Sequence, residues 1–408
     1  MKKHLLRAAF ALFGLTAAGT ASAQISSATL VVNDTAVRPT SVQASPNAIC
    51  TGGSTNLSQT GGTTGNGGSF QWYSGSCGGT LVTTNATTGA ATVSPVNAGT
   101  QPIVVKYFLR AIGGTCTSNF CDSVSITVNP TPVATAPANV IACKGATVPD
   151  IILTGTPTGV VFDVSHSNTA IGVSNATGVT SIPSFTAVNT GTSPITDVVT
   201  ITPRANGCTG TAITFNITVN PGATVAATAD AAACNGTPVG GFTFSTGTTG
   251  GTTTFAWTNS DATIGLAASG TGSIAAFNVI NTGNTNKVAT IIVTPTYANG
   301  TSSCAGTADT FLITAYPTPN GTLAVNTPFC EGQAVNLTFT SSVSGAPGPY
   351  SLNVNQYKQG ATVPTTPTTY SPITSGTSFS AAAPLPTSAG TYKFDLVKIT
   401  DANGCVKQ

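Results

Sequence analysis

At 408 residues the chain is long enough for several domains, and it has only 6% charged residues against 40% apolar residues. Intrinsic disorder normally combines low hydrophobicity with high net charge, so this composition favours a folded chain. A formal net charge of +2 is too small to indicate the basic surface that a nucleic acid or an anionic membrane needs. Both are therefore excluded as partners.

The first 23 residues have the three parts of a secretory signal peptide. Lys2, Lys3 and Arg7 form a basic start, an apolar run covers residues 8–18, and a small-residue cleavage motif ends at Ala23. Removing these three basic residues from 13 leaves 10, against 11 acidic residues. We predict a secreted, extracellular protein. No later apolar run is long enough to span a bilayer, so a transmembrane segment is not expected.

Residues 24–40 are expected to hold a leading strand, residues 28–32, and a short polar linker. A first module follows over residues 41–131 and opens at Cys50-Thr51-Gly52. Phe70 and Trp72 alternate with polar residues, which predicts a central strand with one buried face.

The second module, residues 132–221, and the third, residues 222–318, are sequence repeats at an offset near 92. They open at Cys143-Lys144-Gly145 and Cys234-Asn235-Gly236, and Asn189-Thr190-Gly191 matches Asn281-Thr282-Gly283. Self-similarity at a fixed period predicts tandem copies of one folding unit.

Each repeated module is predicted to end in a hairpin followed by a strand. An Asn-Gly pair between alternating runs favours a type I′ turn, which needs positive φ at both central residues. The three such turns are Asn206-Gly207, Asn299-Gly300 and Asn403-Gly404. The alternation of Ile213, Phe215, Ile217 and Val219 predicts the strand after the first of these turns, and Pro221 is expected to end it.

The fourth module, residues 319–408, opens at Cys330-Glu331-Gly332 and reaches its closing turn at Asn403-Gly404-Cys405. The other modules need about 13 more residues after this turn to complete a last strand. We therefore expect the fourth module to lack its closing strand.

A large apolar residue recurs 20 to 23 positions after each opening cysteine. These residues are Trp72, Val164, Trp257 and Tyr350. Their position predicts a core side chain packed on the disulfide of its module, in preference to a ligand-stacking role.

All ten cysteines follow the signal peptide, and their even number predicts disulfides. If each module closes its own bond, the pairs are Cys143–Cys208, Cys234–Cys304 and Cys330–Cys405. The first module has two open alternatives: Cys50–Cys116 with Cys77–Cys121, or Cys50–Cys121 with Cys77–Cys116.

No catalytic or metal-binding constellation is visible in the sequence. His166 is the only histidine after the signal peptide, and we expect it to be a surface or strand residue. The acidic residues are scattered singly, with no EF-hand pattern. No cofactor is predicted; a calcium ion held by loop carbonyls at a module junction would be sought first near Asp150, Asp163 and Asp261.

These features together resemble the immunoglobulin-like (Ig-like) and PKD-like repeats of secreted and cell-surface bacterial proteins. The resemblance is carried by the four Cys-x-Gly openings, the Ala-Asn-Gly turns, the run from Trp257 to Ser260, and the Val-Asn-Pro endings at Pro130 and Pro221. It implies an all-β chain of tandem β-sandwiches, stapled by disulfides and joined by short proline-containing linkers.

Such modules serve as spacers, adhesive surfaces and appendages of enzymes. The first hypothesis is a non-catalytic adhesive or structural stalk at the cell surface, with an unidentified extracellular protein or glycan as ligand. The alternative is a set of spacer or carbohydrate-binding accessory modules of a larger secreted enzyme. A further hypothesis is head-to-tail assembly by strand addition at the edge formed by residues 392–399.

Overall fold

The computed structural model describes residues 35–85, 87–113, 116–117, 120–327, 330–364, 366–382 and 388–408. The predicted signal peptide and leading strand lie outside the described residues. Two compact units divide the chain, Met1–Pro130 and Thr131–Gln408. The regular secondary structure of the described residues is almost entirely β-strand, with only two short 3-10 helices, which confirms the all-β prediction. None of their helices is long and apolar enough to cross a membrane.

The first unit is one β-sandwich. Its strands are β1 Ser41–Ser45, β2 Ala48–Cys50, β3 Thr55–Thr60, β4 Ser69–Ser74, β5 Thr80–Asn85, β6 Ala91–Val93, β7 Ile103–Gly113, β8 Cys116–Thr117 and β9 Asp122–Asn129. One sheet has the order β1-β3-β6 and the other β2-β9-β7-β4-β5, with β8 paired to β7. Trp72 and Leu109 are fully buried between them, because alternate residues of each strand face the core.

The second unit contains three further sandwiches. The strands of the second sandwich are β10 Val133–Thr135, β11 Val140–Cys143, β12 Thr147–Val148, β13 Ile151–Ile152, β14 Thr154–Thr156, β15 Val161–His166, β16 Ala176–Val179, β17 Ser181–Ile182, β18 Phe185–Thr186, β19 Ile195–Ala205, β20 Cys208–Thr209 and β21 Ile213–Asn220. Its main sheet has the order β11-β21-β19-β15-β16, with β20 on β19.

The strands of the third sandwich are β22 Ala231–Cys234, β23 Pro238–Val239, β24 Thr252–Asn259, β25 Ser269–Thr271, β26 Phe277–Asn278, β27 Lys287–Asn299, β28 Ser302–Ala305 and β29 Asp309–Tyr316. They repeat the main sheet of the second sandwich as β22-β29-β27-β24-β25, with β28 on β27. A short 3-10 helix follows the central strand in both sandwiches, at Thr169–Ile171 and Ala262–Ile264. This agreement in topology matches the sequence repeat.

The strands of the fourth sandwich are β30 Gly321–Val325, β31 Asn336–Ser341, β32 Tyr350–Lys358, β33 Thr368–Ile373, β34 Ser378–Ser380, β35 Tyr392–Thr400 and β36 Val406–Lys407. They form the sheets β30-β31-β34 and β33-β32-β35-β36. The two-residue β36 pairs with the end of β35 as β20 and β28 pair with β19 and β27. Among its described residues there is no counterpart of the eight-residue strands β9, β21 and β29.

The predicted core residues are buried: Trp72 is fully inaccessible, and Val164, Trp257 and Tyr350 are at most 7% exposed. They do not pack on disulfides as predicted, since none of the four large cores includes a cysteine. For Val164, Trp257 and Tyr350 the physical reason is that the bonds of the second unit lie between sandwiches.

Only one of the three predicted Asn-Gly turns has the predicted type I′ conformation. Asn206 and Gly207 have φ of 51° and 78°, as a type I′ turn requires. At the other two sites only the glycines, Gly300 and Gly404, have positive φ, so the type I′ prediction is wrong there.

Candidate functional site: the junctions between sandwiches

The disulfides of the second unit join successive sandwiches. Cys143 at the end of β11 bonds to Cys304 in β28, with a Cα–Cα distance of 5.5 Å. Cys234 at the end of β22 bonds to Cys405, beyond β35, with a Cα–Cα distance of 5.4 Å. In both cases the opening cysteine of one sandwich pairs with the closing cysteine of the next.

The predicted bonds within modules are therefore wrong for this unit. Cys143 does not pair with Cys208, nor Cys234 with Cys304, nor Cys330 with Cys405. Cys208 is disulfide-bonded, but not to Cys143, and Cys330 is a free, exposed thiol.

The register of the second sandwich gives the physical reason. Cys143 lies opposite Asn220, at one end of the main sheet, whereas Cys208 pairs with Ala205 at the other end. Strand β19 runs between these two ends of the sheet and has 11 residues. Its first and last Cα atoms are therefore roughly 33 Å apart, at about 3.3 Å per residue. A disulfide needs Cα atoms within about 7 Å, so Cys143 cannot reach Cys208.

The first unit contains the bond Cys77–Cys121, with a Cα–Cα distance of 5.8 Å. This bond occurs in the first of the two predicted pairings and excludes the second. Cys50 is also disulfide-bonded, and the side chain of Cys116 lies outside the described residues.

A small core surrounds the bond between the second and third sandwiches. It consists of Tyr297, Ala223 and Cys304, all at most 2% exposed, with Cys143 packed against them. Burial raises the pKa of the Tyr297 hydroxyl above its usual range, because the phenolate would lose hydration. The hydroxyl donates a 3.2 Å hydrogen bond to the Thr249 carbonyl.

Hydrogen bonds repeat at the two junctions. The Thr249 amide donates to the carbonyl of Thr192 over 2.8 Å, and the Gly345 amide donates to the carbonyl of Asn284 over 2.9 Å. Thr192 and Asn284 occupy equivalent positions in the repeat. The second and third sandwiches thus present the same loop carbonyl to the sandwich that follows.

A buried asparagine shapes that loop in both sandwiches. Asn189 donates to the carbonyls of Ser193 and Val219 over 2.9 and 2.8 Å, and its Oδ1 accepts from the Gly191 amide. Asn281 makes the equivalent bonds in the third sandwich, and Asn97 makes them in the first. Sequence comparison matched Asn189 to Asn281 but did not identify this role; the recurring Asn-x-Gly triplet was the available signal.

The junction between the third and fourth sandwiches contains a polar cavity of about 640 Å³, lined by asparagine and threonine side chains and by Lys407. Lys407 donates to Asn320 Oδ1 over 2.6 Å. Its lining contains no carboxylate, so the residues present do not favour calcium at this junction.

Each of the three aspartates predicted as calcium candidates interacts with a different partner. Asp163 pairs with Arg204, and Asp261 caps a 3-10 helix through Thr263; both interactions hold the pKa of the carboxyl below its usual range. Asp150 accepts from the Ser184 amide over 2.6 Å. The structure does not bring them together, and the described residues hold no cluster of three metal-ligating side chains.

His166 ends strand β15, which agrees with the strand alternative of the prediction, and its side chain is fully buried. Its Nδ1 lies 2.6 Å from Oδ2 of Asp197, which is also fully buried. Asp197 Oδ1 accepts from Ser167 Oγ over 3.1 Å and from the Asn168 amide over 2.9 Å. The serine contacts the aspartate and not the histidine, so this is not a nucleophile–base arrangement.

A family model described as an Ig-like domain, CHU_C associated, matches residues 37–130. Among solved structures, a three-Ig segment of titin is 11% identical with a TM-score of 0.36, covering 66% of this chain and 94% of that chain. Mouse cadherin-23 repeats are 7% identical with a TM-score of 0.29, covering 68% and 99%. A search of curated proteins finds no match. Residues 37–130 are thus similar to an Ig-like domain.

Proposed function

We propose that this protein is an extracellular, non-catalytic row of Ig-like modules that serves as an adhesive or structural stalk at the cell surface. The supporting observation is that Cys143–Cys304 and Cys234–Cys405 join neighbouring sandwiches. A bond between sandwiches keeps them attached when one opens under load. Disulfides persist in oxidising, extracytosolic compartments, which agrees with a signal peptide at residues 1–23.

The proposal includes module boundaries at residues 41–131, 132–221, 222–318 and 319–408, and an unidentified extracellular protein or glycan as ligand. Glycan-binding platforms normally expose aromatic rings, whereas Trp72 and Trp257 are at most 7% exposed. This burial favours the stalk over carbohydrate-binding accessory modules.

The test is attachment of cells that produce the protein. Deleting the gene should reduce attachment to surfaces or to neighbouring cells, and the wild-type gene should restore it. Surface labelling of intact cells should detect the protein. Release of the whole protein into the medium, with attachment unchanged by the deletion, would overturn the proposal.

A matched variant tests the proposed mechanical role of the junction disulfides. Cys143→Ser with Cys304→Ser removes one junction bond and leaves no new thiol. We expect this variant to reach the surface in normal amounts but to lose attachment under shear flow, while attachment without flow is retained. Equal attachment under flow would contradict a role for the junction bond.

A further inference from the structure

The residue two positions after each closing cysteine of the second unit lies against the linker that leads into its sandwich. In the second and third sandwiches this residue is a glycine, and a Cβ on it would lie within 2.0 Å of a linker carbonyl oxygen. The two pairs are Gly210 with Pro132 and Gly306 with Ala223. In the fourth sandwich the equivalent residue is Lys407, whose Nζ donates to Asn320 Oδ1 of the linker over 2.6 Å. The contact is therefore part of the repeat, and in the fourth sandwich two polar side chains make it.

The residue after Asn320 turns its amide towards the same side chain. The Gly321 nitrogen donates to Asn320 Oδ1 over 3.0 Å. Gly321 begins β30, an edge strand that pairs only with β31, and it lies opposite Ser341. The Ser342 amide donates to the Asn320 carbonyl over 2.9 Å. Because bonded and non-bonded pairs alternate along an antiparallel ladder, the Gly321 amide points away from β31 and has no partner in the sheet.

A nucleophile and an electrophile are thus adjacent. The Gly321 nitrogen is next to the Asn320 side-chain amide, and that amide rotates easily about its Cβ–Cγ bond, which turns the face of Cγ towards the nitrogen. The Lys407 ammonium makes a charge-assisted hydrogen bond to Oδ1, where negative charge develops when Cγ is attacked. The ammonium has no lone pair, so it is not itself the nucleophile. Asn320 is exposed, which gives water access to the product of the attack.

Two other Asn-Gly pairs of the second unit have a geometry that opposes this attack. The Gly236 amide donates to the Val279 carbonyl over 2.8 Å, and the Gly404 amide donates to the Asp401 carbonyl over 3.1 Å. Neither nitrogen can turn to the preceding side chain without losing a backbone hydrogen bond. The chain therefore contains two internal controls with the same dipeptide sequence. They are Asn235-Gly236 and Asn403-Gly404.

We propose that Asn320 is a site of spontaneous deamidation at the junction between the third and fourth sandwiches. The Gly321 nitrogen bonds to Asn320 Cγ, its proton passes to the side-chain nitrogen, and the bond from Cγ to that nitrogen breaks. Ammonia leaves and a five-membered succinimide remains. Water then adds to one of the two ring carbonyl carbons and opens the ring, which gives aspartate or isoaspartate. Water is the only co-reactant, and nothing is oxidised or reduced.

The product places a carboxylate beside Lys407, in a cavity whose lining contains none before the reaction. Aspartate keeps the backbone unchanged and replaces a neutral acceptor by a charged one, so the linker and β36 are joined by an ion pair. Isoaspartate also adds one carbon atom to the backbone where β30 begins. In both cases the junction changes with the age of the protein, without any enzyme.

The experiment incubates the full mature chain, residues 24–408, in mildly alkaline buffer and follows its peptides by mass spectrometry. We expect the Asn320 peptide to lose ammonia and then gain water, at least about tenfold faster than the peptides of the two controls. Enzymatic methylation of isoaspartate identifies the product. In denaturant, where no fold distinguishes the sites, the three pairs should react at similar rates. Folded-state reaction at Asn320 as slow as at the controls would overturn the proposal. A lasting loss of ammonia with a cross-link to the Lys407 peptide would also overturn it, because lysine would then be the nucleophile.

Two lysine variants test the activation of Asn320. Lys407→Met removes the ammonium and keeps the length of the side chain, and it should slow the reaction at least about tenfold. Lys393→Met removes another exposed lysine of the same sandwich and should change the rate less than about twofold. An intact Cys234–Cys405 bond in both variants shows that the junction has formed. Equal rates in the two variants would contradict the role assigned to Lys407.

Discussion

Buried asparagines hold the same loop in three successive sandwiches. In the third, the Asn281 side chain is 1% exposed and spans from the loop to the last strand through the carbonyls of Thr285 and Ala315. An amide can satisfy both carbonyls and the Gly283 amide at once, which a hydroxyl or an alkyl group cannot. The loop that contacts the next sandwich is thus fixed by one side chain.

We predict that Asn281→Ala destabilises the third sandwich by about 3 kcal/mol, because two buried carbonyls and one amide lose their partner. The measurement is denaturant unfolding followed by Trp257 fluorescence in a Trp72→Phe background. The matched control is Asn284→Ala, which removes an exposed side chain and keeps the backbone carbonyl; it should cost less than about 0.5 kcal/mol. Equal losses would contradict a special role for Asn281.

The buried pair His166–Asp197 has a natural control in the third sandwich, where Asn259 and Ala289 stand at the equivalent positions. Asp197→Ala should cost about 3–5 kcal/mol, because it leaves a buried histidine and the Asn168 amide unpaired. Adding His166→Asn to it should recover at least about 1 kcal/mol. Hydrogen exchange of β15 and β19 amides provides the measurement, and strictly additive effects would count against coupling.

The sequence predicted residue burial better than residue role. Alternation placed Trp72, Trp257 and Tyr350 in cores, since a strand with one buried face has period two. The pairing of His166 with Asp197 was not predicted, because Asp197 is 31 residues away and has no charged counterpart in the other repeat. A partner at that distance becomes visible only when β15 and β19 are paired.

At the scale of elements, the hairpins also show what cannot be predicted from local sequence. Asn206-Gly207 forms the predicted type I′ turn, but the Asn-Gly pair at Gly404 does not, although both are preceded by alanine. At the latter site Asp401 Oδ1 accepts from the Cys405 amide over 2.8 Å and organises a different turn. Local propensity indicates which residues form a turn, while hydrogen bonds from neighbouring polar groups determine the turn type.

Two glycines test whether contact between sandwiches stabilises the second unit. Gly250 and Gly207 have nearly equal φ, 80° and 78°, so alanine at either should cost about 1 kcal/mol in backbone strain. A Cβ at Gly250 would lie 2.7 Å from Pro194 of the preceding sandwich, whereas Gly207 faces open space. We therefore expect Gly250→Ala to cost about 1–3 kcal/mol more.

Hydrogen exchange of the Thr249 amide, which bonds to Thr192, measures this effect at the junction. Gly250→Ala should accelerate that exchange, and Gly207→Ala should leave it unchanged. The same exchange rate of the Thr249 amide in both variants would show that the contact with Pro194 does not stabilise the junction.

At the scale of the whole molecule, the disulfide pattern was beyond sequence reasoning. The spacing of cysteines is compatible with one bond per module, and only the length of the main sheet, set by strands such as β19, rules that pattern out. The bond Cys143–Cys304 spans 161 residues and Cys234–Cys405 spans 171, and the two loops overlap between Cys234 and Cys304. Overlap gives the second unit three routes from Cys143 to Cys405 that cross a disulfide: one through each bond alone and one through both.

The consequence is mechanical redundancy, which single-molecule stretching can measure. In the intact chain the shortest covalent route from Cys143 to Cys405 crosses the bond to Cys304, follows about 70 residues back to Cys234 and crosses the second bond. If Cys234→Ser and Cys405→Ser remove the second bond, the shortest route continues from Cys304 along about 101 residues, so the unfolded length should increase by only about 110 Å at about 3.5 Å per residue. Full reduction should instead leave the backbone of about 262 residues as the route, adding about 670 Å. A gain of several hundred ångströms from the serine pair alone would contradict overlapping loops. A gain near 110 Å would mean that the remaining junction bond suffices to limit extension, which is the property that a stalk under load requires.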